Sequence, residues 1–470
     1  MSEPDSPLRR LPAIHQLLDD PRLADAIARR GREAAKSALR SVLDDLRARP
    51  DAIDEAAGAI VDRALARLEA PTDGLRRVIN ATGVLLNTGL GRAPLPHAAT
   101  DAIAEVAAGY CNLEFDLDRG ERGRRGDAVQ GRLRRLVAAE AAVVVNNNAA
   151  ATILALRALA RGREVIVSRG QLVEIGGSFR LPEIFETAGV RLVEVGTTNR
   201  TRIDDYARAV GPNTAALLRV HTGNFKIVGF TESVAITDLA ALGRERGIPV
   251  IDDIGSGALD PASTLGMPDE PDVRSSLAAG ADVVLFSADK LLGGPQAGLI
   301  VGRSEHVAAA ARDPLMRAFR VDKLTLAALE TVLDLHERAP ADLPLRRLAS
   351  TPLAELEIRA REIAWALAHR LPAAAGVARS VATQAMIGGG SVPGETIDSF
   401  AVRIETPSDP SALAHALRLG RPAVVGRIHA GGLVLDLRAV FESEDGAIVD
   451  AVVSAAARAD RPEIGDQIGK

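Results

Sequence analysis

The sequence predicts an α/β fold: a large domain built on a mostly parallel sheet, preceded by a helical N-terminal domain and followed by an α+β small domain. Three observations predict it. Leu8 to Leu68 carries only the three- and four-residue apolar spacing of helices. Between Val143 and Val301, short continuous apolar runs alternate with helix-length segments, the pattern of strands covered on both faces. Beyond Arg370 the chain mixes alternating strand patterns with helices. The expected domains are 1–72, 73–330 and 331–470, the first boundary falling at Pro71-Thr72-Asp73-Gly74.

In the N-terminal region Leu11, Ile14, Leu17 and Leu18 form one apolar stripe, and Ala24 to Leu46 continues the helical spacing. Arg29, Arg32, Lys36 and Arg40 fall near one helix face, a spacing suited to a phosphate backbone. Interleaved acids such as Glu33, Asp44 and Asp45 suit an ordinary solvated face equally well.

The large domain opens with an extended arm, Val78 to Pro96, whose glycine-rich turns bring Asn87 and Arg92 forward rather than burying apolar surface. Tyr110 to Asp127 reads as a basic loop, with Arg119, Arg122, Arg124 and Arg125 set among glycines. Val143 to Val145 is a strand that Asn146-Asn147-Asn148 leads into a helix, Ala149 to Ala160. Asparagine caps helices well, and the free amides there form an anion site, so a phosphate would sit over Asn148, Ala149 and Ala150. Further strands are expected at Val165 to Ser168, Leu192 to Val195, Ala215 to Val220 and Val250 to Asp253.

Two of these strands end in polar turns, His221-Thr222-Gly223-Asn224 and Asp252-Asp253 before Gly255-Ser256-Gly257. Ligands of open α/β sheets bind beyond the carboxyl ends of the strands, which makes Asn224 and the two acids candidate contacts. A carboxylate there can pair with a pyridinium nitrogen, or cap the next turn. Asp253 is favoured over Asp252 because it lies further along the strand.

Val283 to Phe286 then delivers Ser287 and Lys290 onto a turn, and Gly293-Gly294-Pro295 bends the chain back into Leu299 to Val301. A lysine fixed between buried strands suits imine chemistry, although a structural strand-end lysine has the same pattern. A helix-terminus phosphate site, a strand-end Asp and Ser-x-x-Lys, in that order, form the arrangement of an aspartate-aminotransferase-type pyridoxal phosphate enzyme.

After Leu324 the chain returns to helices as far as Arg370. Phe400 to Ile404 alternates as a strand, Ala412 to Leu419 is helical, and Ala423 to Ile428 with Leu433 to Leu437 reads as a hairpin. His429, at the turn, is expected on the surface.

Composition bounds the function. The 470 residues are 47% hydrophobic, enough for one large core and smaller ones, and contain no apolar run of membrane-spanning length. The N-terminus lacks signal-peptide order, and a cytoplasmic location is expected. The single cysteine, Cys111, excludes an internal disulfide and any multi-cysteine metal site, and is expected to be a small packed residue. A net charge of −5 gives no whole-molecule attraction to nucleic acid, so an RNA partner needs a local patch.

Arg77-Val78-Ile79-Asn80-Ala81-Thr82-Gly83, Asn87-Thr88-Gly89-Leu90-Gly91-Arg92, Val220-His221-Thr222-Gly223-Asn224-Phe225, Phe286-Ser287-Ala288-Asp289-Lys290-Leu291-Leu292-Gly293-Gly294-Pro295 and Arg317-Ala318-Phe319-Arg320 resemble the bacterial L-seryl-tRNA(Sec) selenium transferases, or selenocysteine synthases. The likeness covers nearly the whole chain; Ala288 stands where family members often carry glycine. The resemblance implies the fold-type-I architecture, with Lys290 carrying pyridoxal 5'-phosphate as an internal aldimine, Asp253 under the pyridine nitrogen and Ser287 assisting the phosphate. It also implies that Arg92, Arg317 and Arg320 hold selenophosphate, that the N-terminal helices grip tRNA, and that the chain assembles as a homodecamer, a ring of dimers. The expected reaction removes the elements of water from seryl-tRNA to give aminoacrylyl-tRNA, then adds selenium. Two rivals stand beside it: a pyridoxal phosphate lyase or transferase acting on a free amino acid, and an inactive scaffold that binds tRNA. No membrane or DNA partner is expected.

Overall fold

Seven apolar runs assemble into one sheet: β1 (Ala141–Val145), β2 (Glu164–Ser168), β3 (Arg191–Val195), β4 (Thr214–Val220), β5 (Val250–Gly255), β6 (Val283–Ser287) and β7 (Gly298–Gly302). The computed structural model describes residues 11–47, 57–69, 74–175, 179–261, 267, 270–372, 376–391, 393–407 and 409–459. The spatial order is β1-β7-β6-β5-β4-β2-β3. β2, β3, β4, β5 and β6 pair parallel, while β7 runs antiparallel to both of its neighbours. The connection from β6 to β7 is too short for a crossover helix, so β7 has to reverse.

Alternation along each strand sends its side chains to two cores. Val144, Val284, Phe286, Leu299 and Val301 face the core shared with Val129, Leu133, Leu329 and Val332. Val143, Val145, Leu285 and Ile300 face the other, with Leu154 and Ala155 of the Asn148–Ala160 helix. That helix follows β1 and packs against β7, β6 and β4, which brings its N-terminus over the carboxyl ends of the central strands. Each strand expected between Val143 and Val301 lies within this sheet.

The chain divides into two compact units, Met1–Arg77 and Val78–Lys470. In the first, helices Ile14–Leu18, Ala24–Arg30, Arg32–Arg47 and Ala57–Glu69 enclose Leu23, Leu39, Leu43, Leu46 and Ile60. The expected start at Leu8 and the boundary at Pro71-Thr72-Asp73 lie outside the described residues. The single basic helix face is corrected: Gly31, at φ 88°, breaks the helix, so Arg29 precedes the break while Arg32, Lys36 and Arg40 follow it. Acids face three of the four cations, in the pairs Arg29–Asp25, Arg32–Asp19 and Lys36–Glu33.

In the second unit a four-stranded antiparallel sheet forms from Val377–Ala385, Ile397–Glu405, Gly432–Asp436 and Arg427–His429. Helices Leu353–Arg370, Pro410–Arg418 and Asp445–Ala459 supply the rest of its core. The C-terminal hairpin is shorter than its apolar pattern suggested. Arg427–His429 does pair with Gly432–Asp436, but Ala423–Val425 pairs parallel with Val78–Asn80 of the arm. Ile79 and Ala81 are buried in the C-terminal core, so the arm is a structural part of it. His429 is exposed.

Two further expectations are corrected. Cys111 is exposed rather than packed. The basic loop contains a small hairpin, Phe115–Asp116 with Glu121–Arg122, in which Glu114 binds Arg122 at 3.0 Å and Arg125 at 2.9 Å. Among the described residues no helix is long and apolar enough to cross a membrane.

Candidate active site

Lys290 follows the end of β6 on a turn that hydrogen bonds fix at several points. Gly294 N donates to Ala288 O at 2.8 Å, Leu291 N to Ser256 O at 2.8 Å, and His336 Nε2 lies 2.8 Å from Leu292 O. Gly257, at φ 78°, has to be glycine, since a Cβ there would stand 2.2 Å from Ser287 O. The turn therefore has little freedom to move Lys290.

Lys290 opens into a cavity of about 350 Å³, also lined by Arg92, Asn148, Ala149, Asn224, Asp253 and Ser287. Burial pushes the lysine's pKa down, and the Arg92 charge adds to the effect; Asp253, Asp289 and Glu270 oppose it. A lysine in this setting loses its proton more readily than one in water. Arg92 Nη1 donates to Asp289 Oδ2 at 2.6 Å.

Alternation in β5 separates the two acids. Asp253 is buried on the cavity side, where Asn148 Nδ2 donates to Oδ1 and Thr152 Oγ1 to Oδ2, each at 2.8 Å. Burial pushes its carboxyl pKa up, while these hydrogen bonds and the Lys290 charge pull the other way. Asp252 does not line this cavity. It is paired with Arg219 Nε at 2.7 Å and Nη2 at 2.6 Å, and accepts a hydrogen bond from Ser276 Oγ.

The asparagine run divides its work. Asn147 is the N-cap, its Oδ1 accepting from Ala150 N at 2.9 Å, so the Ala150 amide is taken and the anion donors reduce to the Asn148 and Ala149 amides. The Asn148 side chain orients Asp253, and its Oδ1 is buried without a hydrogen-bond partner among the described residues.

The three arginines do not converge within one chain. Arg92 lines the Lys290 cavity, whereas Arg317 and Arg320 line a separate one of about 340 Å³ with Glu114 and Arg125. They also do not share a helical turn: Met316–Phe319 ends at Arg320, whose backbone is extended.

Three contributions escaped the sequence reading. Thr152 lies one turn beyond Asn148 on the same helix face, a spacing that signals a shared contact. Asp289, next to the lysine, carries no separate signal in the sequence. Gly388-Gly389-Gly390 holds φ of 74°, 66° and 79°, and a Cβ at Gly390 would stand 2.6 Å from Asn224 Oδ1 and 3.3 Å from Lys290 Nζ. Three glycines in a row were the available signal for this close approach.

The cavity thus offers a desolvated amine, a buried carboxylate, a hydroxyl at Ser287 and a helix N-terminus with two open amides. This donor set fits pyridoxal 5'-phosphate: an aldehyde for the amine, a basic ring nitrogen for the acid and a phosphate for the helix end.

The family described as L-seryl-tRNA selenium transferase matches residues 78–441, and that described as selenocysteine synthase N terminal matches residues 8–47. The chain belongs to the L-seryl-tRNA selenium transferase family. Within that family it is 46% identical over 451 residues to the L-seryl-tRNA(Sec) selenium transferase of Carboxydothermus hydrogenoformans, covering 93% of this chain and 95% of the relative. It is 48% identical over 460 residues to that of Moorella thermoacetica, covering 95% and 97%. A solved D-glucosaminate-6-phosphate ammonia-lyase shares the transferase chain's fold at TM-score 0.58 and 23% identity, covering 83% of this chain and 98% of that one.

Proposed function

We propose that this chain converts L-seryl-tRNA(Sec) to L-selenocysteinyl-tRNA(Sec), taking selenium from selenophosphate, with pyridoxal 5'-phosphate held at Lys290. Near-full-length identity to transferases of that name carries the reading. The cofactor, when bound, supplies an electron sink for a carbanion. Lys290, its proton affinity lowered by burial, takes the seryl Cα proton and returns one to the departing Cβ hydroxyl. Asp253, oriented by Asn148 and Thr152, would pair with the ring nitrogen and keep it protonated. The Asn148 and Ala149 amides and Ser287 would hold the phosphate, and Asn224, in the same lining, would contact the cofactor. Arg92 orients the selenium donor, and Arg317 and Arg320, which line a separate cavity of the same chain, join it only across subunits of the oligomer.

The cation count of the cavity argues against a free amino acid as substrate. A free carboxylate needs a cation of its own, and the only arginine among the described lining residues, Arg92, is taken by the selenium donor in this reading. An esterified serine needs none. In this reading residues 1–72 bind tRNA, 73–330 hold the cofactor, 331–470 form the small domain, and a cytoplasmic homodecamer is the working form. The test is direct: purified protein with seryl-tRNA(Sec) and selenophosphate yields a product of selenocysteinyl mass. Unchanged seryl-tRNA would end the proposal.

A further inference from the structure

A second cavity, of about 380 Å³, adjoins the Lys290 cavity and shares Val220 and His221 with it. His221 Nε2, on that shared wall, is buried without a hydrogen-bond partner among the described residues, with Glu270 Oε2 at 3.5 Å. Hydroxyl and amide side chains dominate the lining, among them Ser168, Gln171, Thr198 and Thr201, with one aromatic ring, Phe225.

Its cations are already matched. Arg219 is paired with buried Asp252 at 2.6 Å, Arg200 with Glu232 at 2.8 Å, and Lys226 faces Glu395 at 3.8 Å. A phosphate or carboxylate entering here would meet no uncompensated positive charge. A neutral, polar, partly aromatic ligand would meet donors, acceptors and a ring to stack on. Gln171 Oε1 accepts from Val220 N at 3.1 Å, which fixes this amide on the strand end and leaves its NH₂ to donate.

We infer that this cavity binds a nucleoside: the 3'-terminal adenosine to which the seryl group is esterified. The inference rests on the proposed reading of seryl-tRNA as substrate. A serine held at Lys290 is one ester bond from the terminal ribose, so the nucleoside has to occupy space contiguous with the Lys290 cavity. The second cavity adjoins the first at Val220 and His221, and Phe225 in its lining offers a ring for the base.

The probe is the dinucleotide cytidylyl-adenosine, titrated by equilibrium dialysis into the pyridoxal-phosphate-loaded full-length protein. It is expected to bind, to be displaced by adenosine, and not to be displaced by inorganic phosphate. Thr198→Trp, which fills the cavity away from Lys290, and Phe225→Ala, which removes the ring, are each expected to weaken binding at least tenfold. Thr198→Trp should keep the visible cofactor absorbance, which separates lost binding from lost folding. Equal affinity in both variants, no binding to the wild type, or displacement by phosphate but not adenosine would overturn the assignment. Conversion of seryl-tRNA is read separately by product mass. A wild type that binds the dinucleotide but makes no selenocysteinyl product would overturn the function and leave the nucleoside site standing.

Discussion

Arg92 and Asp289, 197 residues apart in the chain, meet at 2.6 Å beside Lys290. Arg92 lowers the lysine's proton affinity and Asp289 raises it. Asp289→Asn removes only the second influence. The midpoint of the pH titration of the lysine-bound cofactor's visible band is therefore expected to fall. A midpoint that stayed or rose would mean the pair does not control the lysine.

Lys290→Ala should abolish the visible band and the pyridoxyl mass left on this peptide by borohydride, while circular dichroism is retained. A variant that still made normal product would refute the role given to the amine.

Thr152→Val takes one of two donors from the buried Asp253 carboxylate. Loss of a hydrogen bond to a buried charge costs roughly 1–3 kcal/mol, so turnover should fall on the order of tenfold or more with the cofactor still bound. Turnover equal to the wild type, measured at saturating seryl-tRNA, would show that Thr152 does not hold the acid.

His336 makes an acid-sensitive brace for the lysine turn. Burial pushes its pKa from 6.5 down to about 4. The folded form therefore binds fewer protons than the unfolded chain, so the stability His336 contributes is complete above pH 6.5 and is lost as the pH falls toward 4. The loss amounts to up to about 3 kcal/mol. His336→Gln should flatten this part of the melting-temperature profile, and an unchanged profile would count against it.

Removal of residues 1–72 is expected to weaken tRNA(Sec) binding at least tenfold and leave cofactor affinity near the wild-type value. Gel-shift titration beside a cofactor titration reads both, and undiminished tRNA binding would move the tRNA contact elsewhere.

The apolar runs of the central sheet were legible because strands buried on both faces have to be continuously apolar, and Val283–Ser287 is buried at all five positions. The order of those strands was not, since it depends on which runs meet across long connections. Val377–Ala385 escaped notice for the opposite reason: most of its residues are polar or partly exposed, so its pattern is faint. At the site, Asp253 was favoured by its place along the strand, and side-chain alternation separates it from Asp252. The separation of Arg92 from Arg317 and Arg320 was invisible, because sequence spacing reports nothing about where distant segments are brought together.

The pairing of Val78–Asn80 with Ala423–Val425 bears on how the molecule is made. A ribosome releases the arm more than three hundred residues before its partner strand, and during that interval a strand with its edge open to other chains waits in solution. Closing so long a loop is slow, which makes most of synthesis a period when the nascent protein needs protection from aggregation.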